Sequence, residues 1–233
     1  MSKDTKKRAL EFTSPRGVFV YPSLDKPDFG TKAFPKPDGE YKVTLKLPEA
    51  DAEKFISEKL GGLIEEAREE ASRAFKELPI AQRKKLKEVT FNDVGAPEYD
   101  KETEEPTGYV LIKIAMRAGG VRKDKSTWNQ RPAVFDARGV ALKKVPEIWG
   151  GSEGRLSFTA NPYFIPGTGA AGVSLRLKAA QVIKLVQGGQ RDAGGFGFAP
   201  EDDGFDSSEF EAAGDDAVSD AAVPADTAGD EDF

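Results

Sequence analysis

"GEYKVTLKLP", Gly39 to Pro48, is the stretch from which the rest of the chain can be read. Tyr41, Val43, Leu45 and Leu47 fall on one side of an extended backbone, and Lys42, Thr44 and Lys46 on the other. That period of two belongs to a strand with one face in a core and one in water. Its two outer lysines are what an edge strand carries to discourage pairing with other chains. On its N-terminal side, "GVFVYP" (Gly17 to Pro22) reads as a short first strand and "KPDFG" (Lys26 to Gly30) as turn chemistry. On its C-terminal side the period changes. Ile56, Leu60, Leu63, Ala67, Ala71, Ala74 and Leu78 recur every three or four residues, so Ala50 to Leu78 reads as one or two amphipathic helices, with Gly61-Gly62 as the point of a kink or break. The basic "AQRKKLKEV" that follows reads as a solvated helix end or loop, and "APEYDKETEEPTG" (Ala96 to Gly108) as an acidic loop.

Strand patterns return in "YVLIKIAMRA", where Val110, Ile112, Ile114 and Met116 alternate with Leu111, Lys113, Ala115 and Arg117. They continue in "PAVFD", in "RLSFTANPYFIP" (Arg155 to Pro166) and in "GVSLRLKAAQVIKLV" (Gly172 to Val186). Five or more strands with turns between them and one inserted helix point to a small, partly open β-barrel, with a β-sandwich plus helix as the competing architecture.

Charge is segregated along the chain. From Asp192 to Phe233 there are fourteen Asp or Glu and no Lys or Arg, leaving 26 of the 40 acids and all 34 bases in residues 1–191, a net of +8. Residues 192–233, rich in Gly, Ala, Asp and Ser, have the composition of a disordered appendage to a folded domain over 1–191. No apolar run is long enough to span a membrane, and the lysines of "MSKDTKKRAL" have no apolar segment behind them to make a secretion signal. The chain has neither Cys nor His. That removes disulfides, thiolate metal sites, Ser-His-Asp and Cys-His systems and nearly all zinc sites. The glycine-rich "WGGSEG" and "PGTGAAG" lack the Lys-Ser/Thr pair of a phosphate loop and read as hairpin turns. No cofactor is expected, and the body's acids are not arranged to converge on a two-metal site.

The basic residues are interleaved with aromatics. Arg155, Phe158, Tyr163 and Phe164 lie on one predicted strand and its exit, Arg176 and Lys178 on the next, and Lys113 and Arg117 on an earlier one. The loop "GGVRKDKSTWNQR" adds Trp128 and Arg131. Binding single-stranded nucleic acid without sequence preference needs that combination, because cations follow the phosphates while aromatic faces stack on unpaired bases. Singly, Phe158 reads as core and the lysines as a solvated face. Jointly, on a body of +8, a binding groove accounts for them better. The acidic segment then acquires a purpose as a tethered competitor for that groove. Its end, Asp230, Glu231, Asp232 and Phe233, offers partners an apolar anchor together with a carboxylate.

With these pieces in order, the chain resembles the replicative single-stranded DNA-binding proteins of short-tailed bacteriophages. The resemblance rests on "KPDFG", "GEYKVTLKLP", "VPEIWGGS" (Val145 to Ser152), "PY" (Pro162 and Tyr163), "GVSLRL" (Gly172 to Leu177) and the acidic end in "DF". It covers most of the body and the tail, and the ordered set is more specific than any one motif. It implies an OB-fold, a five-stranded partly open barrel with a helix inserted after the second strand, and a homodimer held partly by its tails. It further implies a non-enzymatic role in phage replication, recombination and repair in the cytoplasm of the infected host: coating single strands, promoting annealing, and contacting the phage DNA polymerase and helicase-primase through the tail. By the same resemblance Tyr163 falls on the stacking tyrosine, Arg155 in a basic strand and Lys113 on a lysine of the third strand. Two positions depart from the family pattern. Ile165 stands where an aromatic is usual, which would pass stacking to Phe164, Phe158 or Trp128. Asp38 stands where a basic residue is usual, which leaves Lys36 or Lys32 as substitutes. An acidic-tailed adaptor for basic proteins and a DNA-processing nuclease are the rival classes.

Overall fold

The structure is a computed structural model in which residues 10–187 are described. The acidic stretch 192–233, with Asp230 to Phe233 and the expected boundary at residue 191, lies outside them. In chain order the elements are β1 (Glu11–Thr13), β2 (Gly17–Gly30), β3 (Pro35–Pro48), α1 (Glu49–Phe55), a π-helical turn (Ile56–Leu60), α2 (Gly61–Glu77) and α3 (Ile80–Leu86). They continue with β4 (Thr90–Asn92), β5 (Ala96–Tyr99), β6 (Pro106–Arg117), β7 (Gly119–Val121), β8 (Thr127–Asn129), β9 (Ala133–Phe135), β10 (Glu153–Ile165) and β11 (Ala170–Lys184).

The five long strands close on themselves. β2 pairs β3, β3 pairs β6, β6 meets β11 in parallel, β11 pairs β10, and β10 returns to β2. Numbering those five in sequence, the order round the barrel is 1-2-3-5-4, the OB topology. Two seams are thin: β6–β11 is joined by the single register pair Arg176↔Ala115, and β10–β2 by Glu153↔Val18 and Gly154↔Gly17. Glycine is required at the second seam. A Cβ on Gly154 would sit 2.0 Å from the Gln181 carbonyl oxygen, and one on Gly17 would sit 2.7 Å from Leu47. The two backbones can cross there only because neither residue has a side chain.

Tyr41, Val43, Leu45 and Leu47 of β3 are buried in the barrel, as their alternation requires, together with Phe19, Ile112, Ile114, Leu156, Phe158 and Leu177. The reading of β3 as an edge strand is corrected. It lies between β2 and β6, and its outer lysines are half-buried because partners from neighbouring strands cover them. Lys42 Nζ donates to Asp28 at 2.5 Å, and Lys46 pairs with Glu98 at 2.6 Å while lying 4.4 Å over the ring of Tyr109.

The inserted helix follows the second barrel strand and runs from Glu49 to Glu77. Gly61-Gly62 does not break it; the π-helical turn immediately before them absorbs the irregularity, and the helix continues. Ala67 and Ala71 are buried on the face that packs against β10 and β11, where small side chains let helix and sheet approach. No helix among the described residues is long and apolar enough to cross a membrane.

Three local readings differ from the structure, the first being the loop "GGVRKDKSTWNQR", which holds the antiparallel hairpin β7–β8. "KPDFG" is the end of β2, whose register on β3 shifts three times before Gly30, and the turn itself is residues 31–34. "APEYDKETEEPTG" is a hairpin in which β5 pairs β6. Its prolines conceal strand character, while Asp100 Oδ1 accepts from the amides of Glu102 and Thr103 to form the tip.

Candidate nucleic-acid interface

The outer face of β10 and β11 carries most of the residues singled out from the sequence. Along β10, Leu156, Phe158 and Ala160 point into the barrel, so Arg155, Thr159, Asn161 and Tyr163 share the outer face. The register sets Tyr163 opposite Gly172, Asn161 opposite Ser174, Thr159 opposite Arg176 and Arg155 opposite Gln181. β11 has one residue more than β10 between Leu177↔Phe158 and Ala179↔Ser157, and that extra residue is Lys178, exposed and without a cross-strand partner. A bulge of this kind bends a strand and re-aims its side chain. Because Arg176 also lies opposite Ala115, Lys113 and Arg117 flank it on the same outer surface.

A groove of about 610 Å³ runs across this face. Arg117, Arg176, Lys178, Trp128, Thr159, Asn161 and Gln130 line it, with Glu40 as its one carboxylate. Trp128 is half-buried because its indole lies on Gly120 across the β7–β8 hairpin; a Cβ at Gly120 would come within 3.1 Å of Nε1. Arg155, Arg176 and Lys178 are exposed and form no ion pair among the described residues. Arg117 has a loose contact with Asp38 at 3.7 Å and Lys113 one with Glu40 at 4.0 Å, so both keep most of their charge for a ligand.

Tyr163 marks one end of this surface. Its ring covers Gly172, where a Cβ would stand 3.0 Å from the hydroxyl, and that hydroxyl accepts a hydrogen bond of 2.9 Å from Asn92 Nδ2. The half-buried ring is therefore held from two sides. Sequence reasoning does not find Asn92. It sits in "TFND", too short to show a strand period, and meets Tyr163 across 71 residues of chain.

Four residues do not join the surface as expected. Phe158 is fully buried, stacked at 6.0 Å on Phe12 and edge-on at 6.3 Å to Phe55, so its ring has no access to a base. Phe164 has the opposite alternation on β10 and turns away from the face of Tyr163. Arg131 is exposed on the far side of the β7–β8 hairpin, where it borders a separate pocket with Pro27, Phe29 and Tyr41. Lys36 spends its charge internally, donating to Glu40 and, at 3.3 Å, to Asp28. The Glu40 hydrogen bond is the chief reason that its ammonium is held above the usual lysine range. Lys32, the other substitute for the base absent at Asp38, is exposed within the turn at 31–34.

A family model described as "Single-stranded DNA-binding protein, Bacteriophage T7" matches residues 7–185. The single-stranded DNA-binding proteins of Enterobacteria phage T3 and Escherichia phage T7 are each 28% identical to the chain. The first match covers 81% of this chain and 82% of the relative, the second 78% and 79%. In fold, the chain is similar to the crystal structure of gp2.5, a single-stranded DNA-binding protein encoded by bacteriophage T7. The TM-score is 0.60 at 24% identity, over 85% of this chain and 98% of that one.

Proposed function

The chain belongs to the bacteriophage T7 single-stranded DNA-binding protein family, and we propose that it is a non-enzymatic protein that coats single-stranded DNA during phage replication. The observation that carries this is the outer face of β10, β11 and β6. There Arg176, Lys178 and Arg117 line a groove, Lys113 flanks it, and Tyr163 lies further along the same outer face, so that charge for phosphates and an aromatic ring share one surface. The face offers an aromatic ring for stacking and unspent cations for phosphates, a combination that suits an unpaired strand.

Annealing of complementary strands, and with it recombination and repair, belongs to the same proposal, since a protein that holds bases unpaired can present them to a complement. Residues 1–191 form the binding domain, and 192–233 act as a competitor for its groove. Asp230 to Phe233 dock the phage polymerase and helicase-primase. The protein works as a homodimer in the cytoplasm of the infected host.

The test is fluorescence anisotropy of labelled oligo(dT) with the full chain and with a form ending at Arg191, across a salt series. Both bind, and the shorter form binds more tightly, most clearly at low salt. Absence of binding by both forms would favour the adaptor reading instead.

A further inference from the structure

The segment after α2 has no part in the groove, yet it is the most basic run in the described residues. Arg83, Lys84, Lys85 and Lys87 stand within five positions, with Glu88 the nearest acid in sequence. Arg83 donates through Nε to the Leu78 carbonyl at 3.1 Å. Lys84, Lys85 and Lys87 are exposed and form no ion pair among the described residues.

This run is fastened to the part of the barrel that carries Tyr163. Gln82 Nε2 donates to the Pro166 carbonyl at 2.7 Å, and the Thr90 amide to the Gly169 carbonyl at 3.0 Å. Both acceptors lie in the turn between β10 and β11. β4 then runs parallel to the start of β11, and its last residue, Asn92, holds the Tyr163 hydroxyl. Arg68 secures the other side, 3.2 Å from Asp93 and 4.0 Å over the Phe91 ring. Lys87 has φ +68°, and its amide closes α3 onto Arg83 at 2.8 Å, so the chain turns sharply there into β4. Lys87 and Asn92 are five positions apart, a reach of at most about 18 Å.

We propose that Lys84, Lys85 and Lys87 form a second phosphate-binding patch, which takes the single strand as it leaves the Tyr163 ring and lengthens the site beyond the groove. The inference rests on the proposed function. What adds to it is continuity: the segment bearing these unspent lysines is tied by the Gln82 and Thr90 hydrogen bonds to the β10–β11 turn, beside the Tyr163 end of the cationic face, where the next phosphates of a bound strand would lie.

The experiment compares the full chain with its K84A/K85A/K87A variant on two oligo(dT) lengths. The shorter is the minimum that the parent binds, and the longer adds several nucleotides. On the longer oligomer the parent's slope of log K against log salt is steeper than the variant's by about 0.7 for each phosphate that the substituted lysines had neutralised, up to about 2. On the shorter oligomer the two slopes agree, and K84R/K85R/K87R restores the parent slope on both. Equal slopes on the longer oligomer, with the parent binding normally, would overturn the patch and leave the groove standing. Equal reductions in slope on both lengths would also overturn it, as a general effect of net charge. Failure of the parent to bind either length would remove the proposed function and the patch together.

Discussion

Tyr163 and Phe158 are five residues apart on one strand, both aromatic, and they have opposite fates. The odd-numbered positions of β10 face outward here, so Tyr163 lies over Gly172 with its hydroxyl tied to Asn92, while Phe158 fills the barrel against Phe12 and Phe55. Tyr163→Ala is therefore expected to cost about 1–3 kcal/mol of single-strand affinity, the range for one stacked base. Tyr163→Phe, which keeps the ring and removes only the Asn92 hydrogen bond, should retain most of that affinity in the same anisotropy titration. Phe158→Ala should instead destabilise the fold by about 3–5 kcal/mol, through reduced burial and the cavity left behind. Urea unfolding would register that change, while the folded fraction binds oligo(dT) as the parent does.

The turn joining β2 to β3 is governed by Asp28. Its carboxylate accepts from Lys42 at 2.5 Å, from the Gly30 amide at 2.8 Å and from Lys36 at 3.3 Å. The Lys42 hydrogen bond is the largest cause holding the carboxyl far below the usual aspartate range, followed by the Gly30 amide. With the folded-state value depressed, the stability Asp28 contributes is fully present above the ordinary value of 3.8 and is lost as pH falls through the folded value. In urea melts, Asp28→Asn should be less stable than the parent at neutral pH. The gap should hold down to about pH 4 and narrow below it. A gap that widened on acidification would contradict this account. The same network explains why Lys36 and Lys42 are poor candidates for phosphate contacts although the sequence makes them as basic as Lys178. A lysine's availability depends on which carboxylates the neighbouring strands bring beside it.

Over the whole molecule, net charge conceals function: the chain carries −6, yet residues 1–191 carry +8. Binding that draws on the exposed Arg155, Arg176, Lys178, Lys113 and Arg117 should have log K falling against log salt by about 0.7 per phosphate contacted. A flat salt response would argue against this face. Composition, charge segregation and periodicity are local properties, legible without coordinates. They determined the β3 core face, the extent of the helix to within a residue or two, and the exclusion of histidine and cysteine chemistry. The ordered motifs pointed to the OB barrel. Tertiary structure alone decided which basic and aromatic residues can reach a ligand, because that depends on strand order and register. A bulge frees Lys178, Asp28 on the neighbouring strand accepts from both Lys36 and Lys42, alternation along β10 separates Phe164 from Tyr163, and a contact spanning 71 residues sets Asn92 beside the Tyr163 ring.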